Sequence, residues 1–133
     1  MTATALDRPL VLSRLAIGIV VAIAANLAVY AVASAAGATW IANGQQVNPL
    51  LVVVATIIPM VIGGAITWLL ARRWVKATAA MAWVGLVFAV VSVPGPLLGS
   101  DDAPTRFALA AMHVITGIIW FFAVHPSRSS RGG

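Results

Sequence analysis

The residues able to do chemistry are few. The chain holds two histidines, three aspartates, no glutamate and no cysteine. His113 stands nine residues into an apolar run, near mid-membrane if that run spans a bilayer, and polar groups at such depth are costly enough to suggest a function. Thr116 and Trp120 follow it at three and seven residues, on the same helical face. Asn26 lies at similar depth in another run, about eleven residues from its start. That match predicts an Asn26–His113 hydrogen bond across a bundle. The chemistry on offer is a proton relay or a ligand contact through His113, with Asn26, Thr116, Ser92 and Trp120 as companions. The plainer role is interhelical glue, worth about 1 kcal/mol.

Other chemistry fails on spacing. A haem clamp by His113 and His125 would need both on one iron, yet they are twelve residues apart on one helix, roughly 18 Å. The only acids are Asp7, Asp101 and Asp102, a poor set for a metal cluster. No cofactor and no metal is therefore expected. Lack of cysteine removes disulfide and thiolate chemistry. Asp101 and Asp102 adjoin, as acid–base pairs can, but they precede Pro104 at the start of a helical run and read as caps that suit the helix dipole. No Ser-His-Asp spacing, phosphate loop or zinc motif is present, so no catalytic residue is assigned. An integral membrane enzyme would have only His113, Ser92 and the Asp101/Asp102 pair to work with.

Four apolar runs must position these groups: about 15–36, 50–71, 77–94 and 105–124. Each is about 18–22 residues, and about 20 cross roughly 30 Å of hydrocarbon as a helix. In lipid the backbone must satisfy its own hydrogen bonds, so each run should be helical. Only 8% of the 133 residues are charged while 62% are hydrophobic, and a soluble domain could not cover so much apolar surface. The stretches 37–49, 72–76 and 95–104 read as connections, the first a polar loop and the last a loop broken by Gly95, Pro96, Gly99 and Pro104. Short links force antiparallel neighbours. The expected fold is all-α: a four-transmembrane-helix antiparallel bundle, up-down-up-down, forming one membrane domain over 1–133 with short cytoplasmic tails at 1–14 and 125–133.

The first run, with Arg8 and Arg14 ahead of it and Ala33-Ser34-Ala35 near its end, has the outline of a secretory signal. Its length of about 22 residues exceeds a signal core of 7–15, so a retained helix is expected. Pro59 should kink the second run. Helix contacts in lipid favour small residues. The spacing places Gly18, Ala22, Asn26, Tyr30 and Ser34 on one face of the first run and Gly63, Thr67 and Ala71 on the second, with Gly64 beside them. Ala82, Gly85, Ala89 and Ser92 share a face of the third, and Ala110, His113, Gly117 and Trp120 of the fourth.

The net charge of +5 and pI near 11.6 raise the question of nucleic acid, but no basic patch is interleaved with polar or aromatic readers. The cations sort by side instead. Arg8, Arg14, Arg72, Arg73, Lys76, Arg128 and Arg131 fall on one side of the alternation and Arg106 alone on the other. Cytoplasmic loops collect Lys and Arg, so both termini and the "RRWVK" turn are expected in the cytoplasm of a multi-pass plasma-membrane protein. Trp68 and Trp74 beside that turn, Trp120–Phe122 near the same side, and Trp40 and Phe107 at the opposite side fit interfacial belts. Arg128 and Arg131 should meet anionic headgroups.

The stretch "VSVPGPLLGSDDAPTRFALAAMHVITGIIW" (91–120), with Ser92, Pro96-Leu97 and Met112-His113, resembles the C-terminal half of an uncharacterised family of small actinobacterial membrane proteins. The basic N-terminus, polar first loop and charged turn are similar too. The resemblance implies a four-helix integral membrane protein and no known activity. Beyond the lipid bilayer, the expected partners are copies of the chain or a larger membrane complex, with no nucleic acid. The leading expectation is a non-enzymatic accessory or self-associating subunit; the alternative is a small transporter or ligand-binding bundle using His113.

Overall fold

The computed structural model describes residues 9–126; Asp7, Arg8, Arg128 and Arg131 lie outside them. Helix α1 spans Leu12–Ala35. A hairpin of β1 (Ile41–Ala42) and β2 (Gln45–Gln46) follows, then α2 over Pro49–Ala71, α3 over Ala77–Val91, α4 over Pro94–Gly99 and α5 over Ala103–Val124. With α3 and α4 taken together, four helical spans of 22 to 24 residues are each long and apolar enough to cross a membrane. They form an antiparallel, up-down-up-down bundle.

Local chemistry sets the helix ends. Asn48 caps α2, its Oδ1 accepting from the Leu51 N–H at 2.8 Å, with Pro49 just inside the helix. The helix runs on through Pro59 to Ala71. The segment expected as a broken loop at 95–104 is largely helical. Pro94 carries no N–H, so α3 ends at Val91 in a tight turn, Val93 N–H bonding Val90 O at 3.2 Å. Pro94 and Pro96 then fall in the opening residues of α4, where missing N–H groups cost nothing. The polar loop at 37–49 likewise holds a register: Ile41 pairs with Gln46 and Ala42 with Gln45. Asn43 and Gly44 make the turn at φ 51° and 72°, the double positive φ of a two-residue hairpin with an Asn-Gly tip.

Packing centres on α5, which meets α1 most extensively, then α3 and α4; α2 packs on α1 and α3 and barely touches α5. The small-residue faces differ from those expected. On α1 the buried line is Gly18, Ala22 and Asn26, but it then shifts to Ala33, leaving Ser34 exposed. On α2 the line is Val52, Thr56, Met60, Gly64 and Thr67 rather than Gly63, Thr67 and Ala71. On α3 only Ala82 of the expected set is buried, with Ala77 and Thr78. Close approaches occur where side chains are absent: a β-carbon on Gly18 would lie 2.8 Å from Ala123 Cβ, and one on Gly64 would overlap Leu15.

The two ends are built differently. At one end Arg14 of α1 donates to the carbonyls of Phe122 and His125, placing a cation where the α5 dipole is negative. Arg72 sits 3.6 Å over the Trp68 ring, a cation–π contact, and Arg73 and Lys76 are exposed on the same turn. At the other end the hairpin is tied down. Asn43 N–H bonds Gly99 O at 2.7 Å and Asp101 N–H bonds Ile41 O at 3.1 Å. Trp40, expected in an interfacial belt, is only 4% exposed. It stacks on Tyr30 with centroids 4.1 Å apart, and its indole N–H donates to Ser34 Oγ at 2.9 Å.

Asp102 joins cap to bundle. Its carboxylate accepts from the Thr105 N–H and hydroxyl at 2.9 and 2.7 Å, and from the N–H and hydroxyl of Thr39. It is the N-cap of α5; of the aspartate pair, Asp102 makes the cap. The Thr39 hydroxyl, then the Thr105 N–H, hold its carboxyl well below the usual carboxylate range against an opposing desolvation. A depressed folded pKa contributes stability that is complete above the unfolded value of about 4 and is lost as pH falls toward the folded one. The thermal midpoint of the wild type in micelles should therefore fall as the medium is acidified below about pH 4. Asp102→Ala should melt lower at neutral pH and show a flatter acid limb; superimposable pH profiles would refute the capping role.

Candidate functional site

Because α2 and α5 barely meet, a cleft of about 780 Å³ lies between α2, α3 and α5, with Asn26 of α1 at its back. Asn26, Ser92, His113, Thr116 and Trp120 all line it. The structure thus brings together five residues drawn from three of the four apolar runs.

Their bonds differ from the expected Asn26–His113 contact. Asn26, 2% exposed, sends its amide N–H₂ to two threonines: Thr56 Oγ1 on α2 and Thr116 Oγ1 on α5, each at 2.9 Å. One side chain of α1 so bridges the two helices that hardly touch. The Asn26 Oδ1 is buried without a partner. His113 bonds its own helix instead, Nδ1 to the Leu109 carbonyl at 2.7 Å. A carbonyl only accepts, so Nδ1 carries the proton, and a neutral ring then has its lone pair at Nε2. His113 sits three residues before Thr116, almost one turn nearer the capped end, which takes its ring away from Asn26. Ser92 reaches the cleft near the α3–α4 junction, its hydroxyl donating back to Ala89 O at 2.7 Å.

Trp120 closes the other end. It is 5% exposed, and its Nε1 donates to Met81 O on α3 at 3.0 Å. The indole needs two glycines. A β-carbon on Gly63 would come within 2.9 Å of the ring, and one on Gly85 would overlap its Nε1 edge. So Gly63 and Gly85, expected as helix-contact residues, make room for an aromatic floor. Trp120 is not a belt residue. Met60, Met81 and Met112 also line the cleft, supplying adaptable apolar surface.

Thr56 escaped the sequence reading. Its signal was one of two threonines inside an apolar run, three positions before Pro59 and at a depth matching Asn26 in an antiparallel neighbour. Its hydroxyl is turned back to Val52 O at 2.7 Å, so it receives the Asn26 N–H with no group left unmet. The remaining wall is aliphatic or aromatic, and among the lining residues none is Lys, Arg, Asp or Glu.

Four helices able to cross a membrane, packed around a cleft with a narrow polar strip, define a small multi-pass membrane protein. Residues 6–130 match a family of unknown function, DUF6069, and the chain belongs to that family. Neither a curated protein nor a solved structure matches it.

The Asn26 fork is the polar tie that its geometry makes most costly to lose. Asn26→Ala should lower the free energy of reversible unfolding in mixed micelles by about 1–2 kcal/mol, two interhelical bonds at the magnitude seen in lipid. Thr116→Val, which breaks one of them, should cost about half as much; equal stability of Asn26→Ala and wild type would show that the fork contributes nothing.

Proposed function

We propose that this chain is a membrane-embedded binding bundle for a small, largely apolar molecule, taken up in the cleft between α2, α3 and α5. The observation that carries this reading is the cleft itself. Its volume of about 780 Å³ lies in the range of ligand sites, which are typically apolar with a few convergent polar groups. The convergent groups here are Asn26, Thr116 and His113, at a depth where lipid offers no hydrogen-bond partner. A transporter would use the same site, with His113 as its one titratable wall residue.

The accessory or self-associating subunit has less behind it. Apolar side chains such as Val32, Phe88 and Phe122 are exposed, but a surface facing lipid needs no partner to explain them.

The orientation proposed is the plasma membrane with both termini in the cytoplasm. What supports it is the charge pattern: Arg14, Arg72, Arg73 and Lys76 share the end opposite Asp101, Asp102 and Arg106, as the positive-inside rule asks.

Two measurements check these statements. Wild type purified from its native membranes in mild detergent should carry a near-stoichiometric small molecule detectable by mass spectrometry. Ala55→Trp, which fills the wall from an exposed position, should lose it; identical complements in the two proteins would end the binding reading. For orientation, a fluorescent reporter that matures only in the cytoplasm should be bright when fused after Gly133, and an export-dependent phosphatase at the same place should be inactive. The reverse pattern would invert the topology.

A further inference from the structure

We propose that the molecule held in the cleft is an uncharged long-chain amphiphile bearing a hydroxyl group, with that hydroxyl seated between His113 and Thr116. This rests on the binding reading above and narrows its ligand class.

Charge is excluded first. No lysine, arginine or carboxylate lines the cleft, and an ionised head buried there without a counter-charge would bear a large desolvation cost. Arg14 and Arg106 are engaged at the two ends, on the α5 C-terminal carbonyls and on the Ser100 carbonyl respectively. An acid or a phosphate at mid-span would find no charged partner unless His113 itself took up a proton.

The polar atoms left over then select the head group. His113 spends Nδ1 on Leu109 O, so the ring in its neutral form offers Nε2 as an acceptor, and no described residue donates to it. Thr116 Oγ1 accepts from Asn26. Its own hydroxyl hydrogen is not turned back onto the helix, unlike those of Thr56 and Thr67, which donate to Val52 O and Gly63 O at 2.7 Å. One acceptor and one donor therefore stand three residues apart on one face of α5, neighbours on the helix surface. A hydroxyl is complementary to both: it donates to His113 Nε2 and accepts from Thr116. An ether or ketone can only accept and leaves Nε2 unmet. The unmet acceptor at His113 Nε2 favours an alcohol over a carbonyl compound, which has no hydrogen to donate. The apolar wall, with Met60, Phe88 and Leu109 among its residues, receives the chain.

The test uses the full chain in phosphatidylcholine nanodiscs and three diazirine-bearing C16 probes: the alcohol, its methyl ether and the carboxylic acid. The alcohol should crosslink cleft residues, be displaced by unlabelled hexadecanol, and reach half-labelling at about tenfold lower concentration than the ether, the effect of one well-made hydrogen bond. His113→Leu should bring the alcohol down to the ether's level while the ether is unchanged. Thr116→Val, close to isosteric, provides the same reading should His113→Leu not fold. Equal labelling of the wild-type cleft by alcohol and ether, or a preference for the acid, would overturn the hydroxyl assignment and leave the binding reading standing. If all three probes label only lipid-facing residues such as Leu12 and Phe122, both fall.

Discussion

One amide group holds the interior together. In hydrocarbon there is no water to take up a stray hydrogen bond, so a buried polar side chain must find its partners on other helices or on its own backbone. Asn26 finds two, Thr56 on α2 and Thr116 on α5. Those two helices have little direct contact; α1 stands behind both and links them through one planar group. The cleft exists because the linkage is made at the back and not across the front. Trp120, seated over Gly63 and Gly85, fills the space between the helices at the end away from the hairpin.

The rest of the molecule divides into a densely hydrogen-bonded end and a largely apolar interior. The hairpin, the 99–101 segment and the start of α5 are joined by backbone bonds and by Asp102, Thr105 and Thr39. Trp40 N–H donates to Thr105 Oγ1 at 2.9 Å, so the cap grips α5 from two directions. Within the bundle, contacts are apolar packing of Leu15, Met60, Trp120 and Val124 with close approaches at Gly and Ala, which carry no directional bonds. Polar specificity is concentrated at the cap and at the Asn26 level, and between them the wall of the cleft is free of bonds that cross from α2 to α5.

Much of this was legible from residue order. The four spans, their antiparallel succession and the depth of Asn26 and His113 follow from run length and a rise of 1.5 Å per residue. Rotation about each helix axis was less accessible. A step of four residues names a stripe, but in an Ala-rich helix several stripes look alike, and the choice between Gly63 and Gly64 depends on which neighbour presents Leu15 and which presents Trp120. The Asn26 partners turn on a finer matter: His113 and Thr116 share a face of α5, and the difference of almost one turn along its axis gives the bond to Thr116. The hairpin was different. Asn43-Gly44 is a strong turn signal, but two-residue strands leave too short an alternation to show, and composition alone reads as loop. At 94–99, prolines that usually stop a helix instead begin one.

The pairing of α1 with α5 has a consequence for biosynthesis. Arg14 reaches the α5 carbonyls across 111 positions of chain, and the most extensive interface in the bundle joins its first long helix to its last. The first three spans are synthesised before the principal neighbour of α1. Before α5 has been made, Asn26 has Thr56 alone to bond, and Gly18 lacks the Ala123 that packs against it.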